Sequence, residues 1–295
     1  MDMISADFAD SMDQVENFKR IPGGSPANLC MNMARLGNQT QVVACVGTDD
    51  MGAYLLHYVQ KLGFNCDTVW RVPKPTTLIL VTRSKEVSNF EAYRGADSQI
   101  SLRQFPKSLF EKVKIFHTTC FGLSQQPAQK NILTAAARAV EQGCQLSIDA
   151  NYAHKIWSDQ EEAQKIVAQY VSHGAFVKIS EVDWERLYNI KLVDPNAAAD
   201  HFLGLGAKEV CVTMGAEGCL VANVSERHFL PSRPVEVKDT TGAGDAFWSG
   251  YLTARLDGHG ILQAGMAGRR MAELKLGHFG PLPRKMDRRG IYVDF

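Results

Sequence analysis

Lys238-Asp-Thr-Thr-Gly-Ala-Gly-Asp-Ala-Phe-Trp-Ser-Gly-Tyr-Leu252 follows a short β-like run at Val235 and Val237. It opens a segment of helical apolar spacing, through Phe247, Gly250, Tyr251 and Ala254. Gly258 supplies the stop, in the position where a left-handed glycine commonly ends a helix. A Gly-Ala-Gly turn entering a helix leaves backbone N–H groups free at the positive end of the helix dipole. Gly242, Ala243 and Gly244 are therefore a candidate anion hole for a phosphate or a developing negative charge. Asp245 falls in the first helical turn, beside those donors. Like charges repel, so a carboxylate there opposes simple anion binding. It makes sense as the acceptor of a proton from a nucleophile attacking phosphorus. Four residues alone leave a second reading open, in which Asp245 merely partners the dipole.

At 295 residues the chain can bury a large core as one α/β domain or as two smaller ones. Lys+Arg and Asp+Glu balance at 32 each, so no global field favours nucleic acid or an anionic membrane. The seven cysteines form no C-x-x-C pair, and several sit in apolar runs. They read as buried thiols of a reducing, cytoplasmic compartment. No basic-then-apolar leader opens the chain, and no apolar run approaches the roughly 18 residues of a membrane span.

Ser25-Pro26 reads as a helix start, with Ser25 as N-cap and Gly37 as stop. The run 41–46 suits a buried parallel strand, and 51–62 a helix ending at Gly63. Residues 5–22 are largely polar and read as a loop or lid element. Segments 77–82 and 90–94, within 68–97, suit a small antiparallel sheet. From residue 113 strands alternate with helices: strands at 113–119, 146–149, 176–180 and 209–215, helices at 127–142 and 262–276. That alternation predicts a doubly wound, mostly parallel sheet flanked by helices. Asp149 and Asn151 end one strand, where open α/β sheets place ligands. No G-x-x-x-x-G-K-[ST] occurs, which excludes a P-loop.

Asp239 through Gly250 resembles the C-terminal signature of the ribokinase-like sugar kinases, the PfkB carbohydrate kinase family. A second signature lies some 200 residues upstream, at Gly23-Gly-Ser-Pro-Ala-Asn28, continuing through Ala34–Gly37 to Val46–Gly52. The similarity covers nearly the whole chain, and its detail is most like fructokinases. The resemblance implies a single kinase domain over 1–295, with a lid from about 5–22 and 68–97. By the same resemblance Asp2, Gly23, Gly24, Asn28 and Arg94 bind the sugar. Lys178, Ser180, Thr213, Gly215 and Gly218 would line the ATP site, where Asp183 would help order Mg2+. Asp239 and Thr241 could line a K+ site, and the small residues of the last helix a wall of the adenine pocket. A homodimer through the lid is also implied.

The family's mechanism makes Asp245 the base for a sugar hydroxymethyl group, with the Gly242–Gly244 amides on the transferred phosphoryl. Fructose is the expected acceptor. 2-Keto-3-deoxygluconate, ribose, a nucleoside or a sugar phosphate are alternatives, as is a non-catalytic sugar-binding relative. Relatives carry Pro and Arg where this chain has Ala150 and Ala153, which removes a positive charge that an acidic sugar would want. They also have a complete strand before the residue that matches Asp2, and the reading here is that this strand is absent. Its loss is expected to leave a slot in the parallel sheet.

Overall fold

Four short strands, buried along most of their length and carrying polar residues as well as apolar ones, form the parallel heart of the protein. The structure, a computed structural model, describes residues 1–83 and 89–295. In chain order it contains β1 (Asp2–Ser5), β2 (Phe18–Ile21), α1 (Ser25–Arg35), β3 (Ala44–Gly47), α2 (Asp50–Lys61), β4 (Val69–Val72), β5 (Leu78–Thr82) and β6 (Asn89–Tyr93). The short α3 (Lys107–Phe110) precedes β7 (Ile115–Thr119), α4 (Ala128–Glu141), β8 (Gln145–Asp149), α5 (Gln160–Val171), β9 (Phe176–Ser180), α6 (Glu181–Tyr188) and α7 (Pro195–Gly204). The chain continues through β10 (Glu209–Thr213), β11 (Gly218–Ala222), β12 (Arg227–Pro231), α8 (Ala243–Leu256) and α9 (Ile261–Leu276).

Strands β7 to β10 run parallel, and β11 and β12 extend that sheet antiparallel, giving the order β12-β11-β10-β9-β8-β7. Alternate side chains enter two cores. Val177, Ile179, Val210 and Val212 pack with α4, α5 and α7. Phe176, Cys211 and Val221 pack with α1, α8 and α9. The doubly wound expectation holds, but the sheet is not continuous. β3 and β4 pair only with each other, and β7 has no strand on its outer side among the described residues.

A second sheet, in the order β2-β1-β5-β6, forms the lid. Its strands fall within Asp2–Ile21, which starts before the expected 5–22, and within Leu78–Tyr93, which lies inside the expected 68–97. β4 belongs instead to the parallel pair with β3. β1 pairs parallel with β5, so the lid is mixed rather than purely antiparallel. Residues 84–88 of the expected lid lie outside the described residues.

Two local expectations are corrected. Val235 and Val237 join no ladder and lead into the turn as irregular chain. Ser25 is the first residue of α1, with Gly24 at the N-cap; its hydroxyl caps nothing because Asp245 takes it. Gly37 does end α1, at φ +84°, with the Gly37 amide on the Ala34 carbonyl and the Asn38 amide on Met33. That paired closure satisfies the last carbonyls of the helix.

Candidate active site

Helix α8 brings the anion turn over the sheet. Gly242 is its N-cap at φ +77°, a left-handed conformation that favours glycine. The Ala243 amide donates to the Thr240 carbonyl at 3.2 Å and is spent. The amides of Gly242, Gly244 and Asp245 have no acceptor among the described residues. Of the three amides expected to form an anion hole, that of Ala243 is taken by Thr240, and those of Gly242 and Gly244 stand open beside the Asp245 amide.

The Asp245 carboxylate is held at both oxygens. Ser25 Oγ donates to Oδ1 at 2.6 Å and Asn28 Nδ2 to Oδ2 at 2.9 Å, both from the first turn of α1. Burial pushes the Asp245 carboxyl above its usual range, while those hydrogen bonds and the charges of Lys178 and Lys275 hold the rise in check. Asp2 lies alongside. A Cβ on Gly23 would come within 1.7 Å of Asp2 Oδ2, so the carboxylate rests on that glycine. Burial, with Asp245 adding to it, raises Asp2 to about 6 against the opposing N-terminal ammonium. Asp2, Gly23, Asn28 and Asp245 therefore meet, as expected. Gly24, at φ +111°, supplies the turn into α1.

Lys178 projects from β9 on the face that carries α8. Its Nζ lies 3.0 and 3.1 Å from the two oxygens of Asp149 and would be 2.9 Å from a Cβ on Gly244. Asp183 begins α6, where Ser180 Oγ donates to its Oδ2 at 2.5 Å and accepts from its amide at 3.1 Å. Asp149 is paired with this buried ammonium, and the charges of Asp183 and Asp245 also act on it. Burial pushes Asp149 up to about 7 against the pull of Lys178, with Asp183 and Asp245 adding to the rise, and burial raises Asp183 as well. Burial pulls the other way on Lys178, but Asp149 and Asp183 outweigh it and raise the ammonium. His117, behind them with Ser147, is lowered to about 3 by burial and by Lys178 and stays neutral.

Thr213 stands opposite Ser180 in the ladder, so the two polar strand ends lie together at the carboxyl edge of the sheet. Gly215, at φ +50°, faces Glu181 across this edge. The remaining expected residues have other partners. Gly218 is glycine because a Cβ would sit 2.1 Å from the Leu230 carbonyl oxygen of β12. Gly265 and Gly268 press against Val221 and Phe247, so the small residues of α9 serve packing rather than an adenine wall. Arg94 is bound by Asp97 and Ser124 and lies 4.1 Å over the Phe121 ring. Asp239 and Thr241 adjoin the anion turn, but the Asp239 carboxylate is paired with Lys275 at 3.0 Å.

Sequence reasoning missed Ser25, Asp149 and Lys275 as site members. Asp149 carried a signal, its place at a strand's carboxyl end. The other two had none, since a helix-start serine and a last-turn lysine are both ordinary.

Comparison with known proteins agrees with this geometry. Residues 1–285 match the model of the pfkB family carbohydrate kinases. The chain is 32% identical over 282 residues to an ATP-dependent 6-phosphofructokinase of Thermoanaerobacterium thermosaccharolyticum, covering 96% of this chain and 87% of that one. The Halothermothrix orenii fructokinase structure superposes with TM-score 0.79 at 30% identity over 94% of both chains. A Vibrio cholerae O395 fructokinase, solved with fructose, ADP and calcium, superposes with TM-score 0.83 at 26% identity, covering 99% of this chain and 94% of that one. A buried carboxylate at a glycine turn, a small second sheet beside it and these matches lead to one conclusion: the chain belongs to the pfkB family of carbohydrate kinases, enzymes that phosphorylate sugars with ATP.

Proposed function

We propose that the protein transfers the γ-phosphoryl of ATP to the hydroxymethyl group of fructose. The observation that carries the chemistry is Asp245, aimed by Ser25 and Asn28 beside the open amides of the α8 N-terminus. A carboxyl of raised pKa is, once ionised, a better base. Asp245 takes the proton of the attacking hydroxyl, and Asp2 and Asn28 orient the sugar's other hydroxyls. The amides of Gly242, Gly244 and Asp245, with Lys178 beneath them, stabilise charge on the transferred phosphoryl. Ser180, Thr213 and Gly215 line the nucleotide side. Closure of the lid excludes water from the acceptor site.

The excess of carboxylates over ammonium around Lys178 fits a divalent cation arriving with the nucleotide. Asp183, with Asp149, would hold Mg2+ there, and the bound ion supplies charge neutralisation of the phosphates. No cluster of three or more metal-ligating side chains occurs among the described residues. That suits magnesium bound chiefly by phosphates and water. The enzyme is read as a cytoplasmic homodimer: its seven cysteines are free thiols, and Tyr93 on the outer lid face is exposed.

A second reading, with a sugar phosphate as acceptor, is favoured by the name of the 32% identical relative. Lys19, on the same lid face as Asp2, is a cation available to it, since among the described residues its ammonium meets the Phe279 ring, at 4.8 Å, and no carboxylate. The test is direct ADP measurement with MgATP and a panel of fructose, fructose 6-phosphate, ribose and 2-keto-3-deoxygluconate. The first reading expects the highest kcat/KM for fructose. A clear preference for fructose 6-phosphate replaces it with the second, and no turnover with any of them removes both.

A further inference from the structure

The resemblance implies a dissociable monovalent cation at Asp239 and Thr241, and the donors present do not fit one. The Asp239 carboxylate is already met from three sides. Lys275 Nζ lies 3.0 Å from Oδ2, the Gly280 amide donates to the same oxygen at 3.3 Å, and the Thr241 amide donates to Oδ1 at 3.0 Å. The ammonium completes its own shell with the His278 carbonyl at 3.2 Å. Both side chains are less than a tenth exposed, at 9% and 7%. A second positive charge could enter only by displacing Lys275 from a partner it holds in a medium of low dielectric.

The position of the pair connects it to the chemistry. Lys275 is in the last turn of α9, and the Leu276 carbonyl after it accepts the Lys238 amide at 2.8 Å. The chain entering the anion turn is therefore strapped to the end of α9. Lys275 Cε lies 3.8 Å from where a Cβ on Gly242 would be. Its charge is thus fixed on one flank of the anion hole, as that of Lys178 is fixed beneath Gly244 on the other.

We propose that Lys275 is a tethered replacement for a dissociable cation. As a positioning residue it braces the Gly242 turn through Asp239 and adds positive potential to the anion hole, so the protein needs no added potassium. The inference rests on the kinase reading for its activity measurement only.

The test compares choline, sodium and potassium chlorides at equal ionic strength, with ATP and buffer free of alkali metals. ADP is measured directly, and thermal midpoints are recorded alongside. The unaltered protein is expected to show the same rate, within about twofold, and the same midpoint in all three salts, because a ligand with no site shifts neither. Lys275→Met vacates the site. Its rate in choline is expected to fall ~10-fold or more as the anion hole loses a brace and a charge. Potassium should then restore the rate and raise the midpoint, while choline should do neither. Lys275→Gln, which keeps the polar length, serves as second variant and is expected to behave alike.

A potassium-dependent rate or midpoint in the unaltered protein overturns the proposal. So does a variant that keeps the parental rate in choline, or one that is equally depressed in every salt. Should both variants fail to fold in choline, folding in potassium alone supports the proposal. Failure in all salts counts against it, since an exchangeable ion ought to substitute. If no acceptor is phosphorylated, the kinase reading fails while the midpoints still decide the cation question.

Discussion

Asp245 sits among groups that pull its proton affinity in opposite directions. Burial raises its pKa; the Ser25 and Asn28 donors and two lysines restrain the rise. Replacing the carboxylate with an amide keeps the shape but removes the base. Asp245→Asn is expected to lower kcat by ~10²–10⁴ while fold and ATP binding survive. Turnover within a few-fold of the parent would show that the proton leaves by another route. Ser25→Ala tests the tuning separately. Its hydroxyl, 2.6 Å from Oδ1, stabilises the charged form, so its loss lets the pKa climb further. The acid limb of kcat/KM should move to higher pH, with the rate approaching the parental value on the alkaline side. An unmoved limb would mean that Ser25 only packs against Asp245.

Helices α8 and α9 carry the two halves of the charge arrangement, and a contact between them sets where the anion turn stands. Gly250 faces α9 so closely that a Cβ would lie 2.4 Å from the Ala267 carbonyl oxygen and 2.9 Å from its carbon. Backbone cannot step aside as a side-chain tip can. Alanine gains about 1 kcal/mol in helix propensity over glycine, whereas overpacking costs about 1–3 kcal/mol. With backbone as the obstacle the upper part of that range applies, so Gly250→Ala is expected to lower the thermal midpoint by a few degrees. It should also lower kcat, because α8 must shift and its N-terminus with it. A variant at least as stable as the parent would show that the helices separate freely.

The same elements explain what was legible in the sequence. Strands β7 to β10 announce themselves by their regular alternation with helices, and α4 because its apolar spacing is helical. The site was legible where one short motif contains both partners, as at Gly242 and Asp245. It was hidden where partners are remote in sequence. Ser25 pairs with Asp245 across 220 positions, Lys275 with Asp239 across 36 and Lys178 with Asp149 across 29. Spacing along one element carries no trace of such a pair, so Ser25 resembled an ordinary cap. The α9 glycines misled for a related reason: small residues admit a ligand or a neighbouring helix equally well, and only packing decides between them.

At the scale of the whole molecule the lid has two unlike faces. Ladder partners share a face, so Asp2, Ile4, Ile21, Ile79, Phe90 and Ala92 point together. Phe90 and Ala92 pack on the main core, and Asp2 and Ile4 line the cavity beside Asn28 and Gly242. Met3, Leu78, Leu80 and Tyr93 fall on the opposite face, with Tyr93 60% exposed. Near Thr82 this face is covered by Met12 of the 6–17 segment, but that segment does not account for Tyr93. We propose that two copies related by a two-fold axis bury this face against each other. The protein is expected to sediment as a dimer at micromolar concentration. Leu80→Lys would place a charge on each side of that axis and should weaken association at least ~10-fold, about 1.4 kcal/mol. The thermal midpoint at low concentration should change little, because Leu80 points away from the core. A parent that sediments as a monomer at every concentration would rule out the lid as an interface. A dimer unchanged by Leu80→Lys would place the interface elsewhere on the molecule.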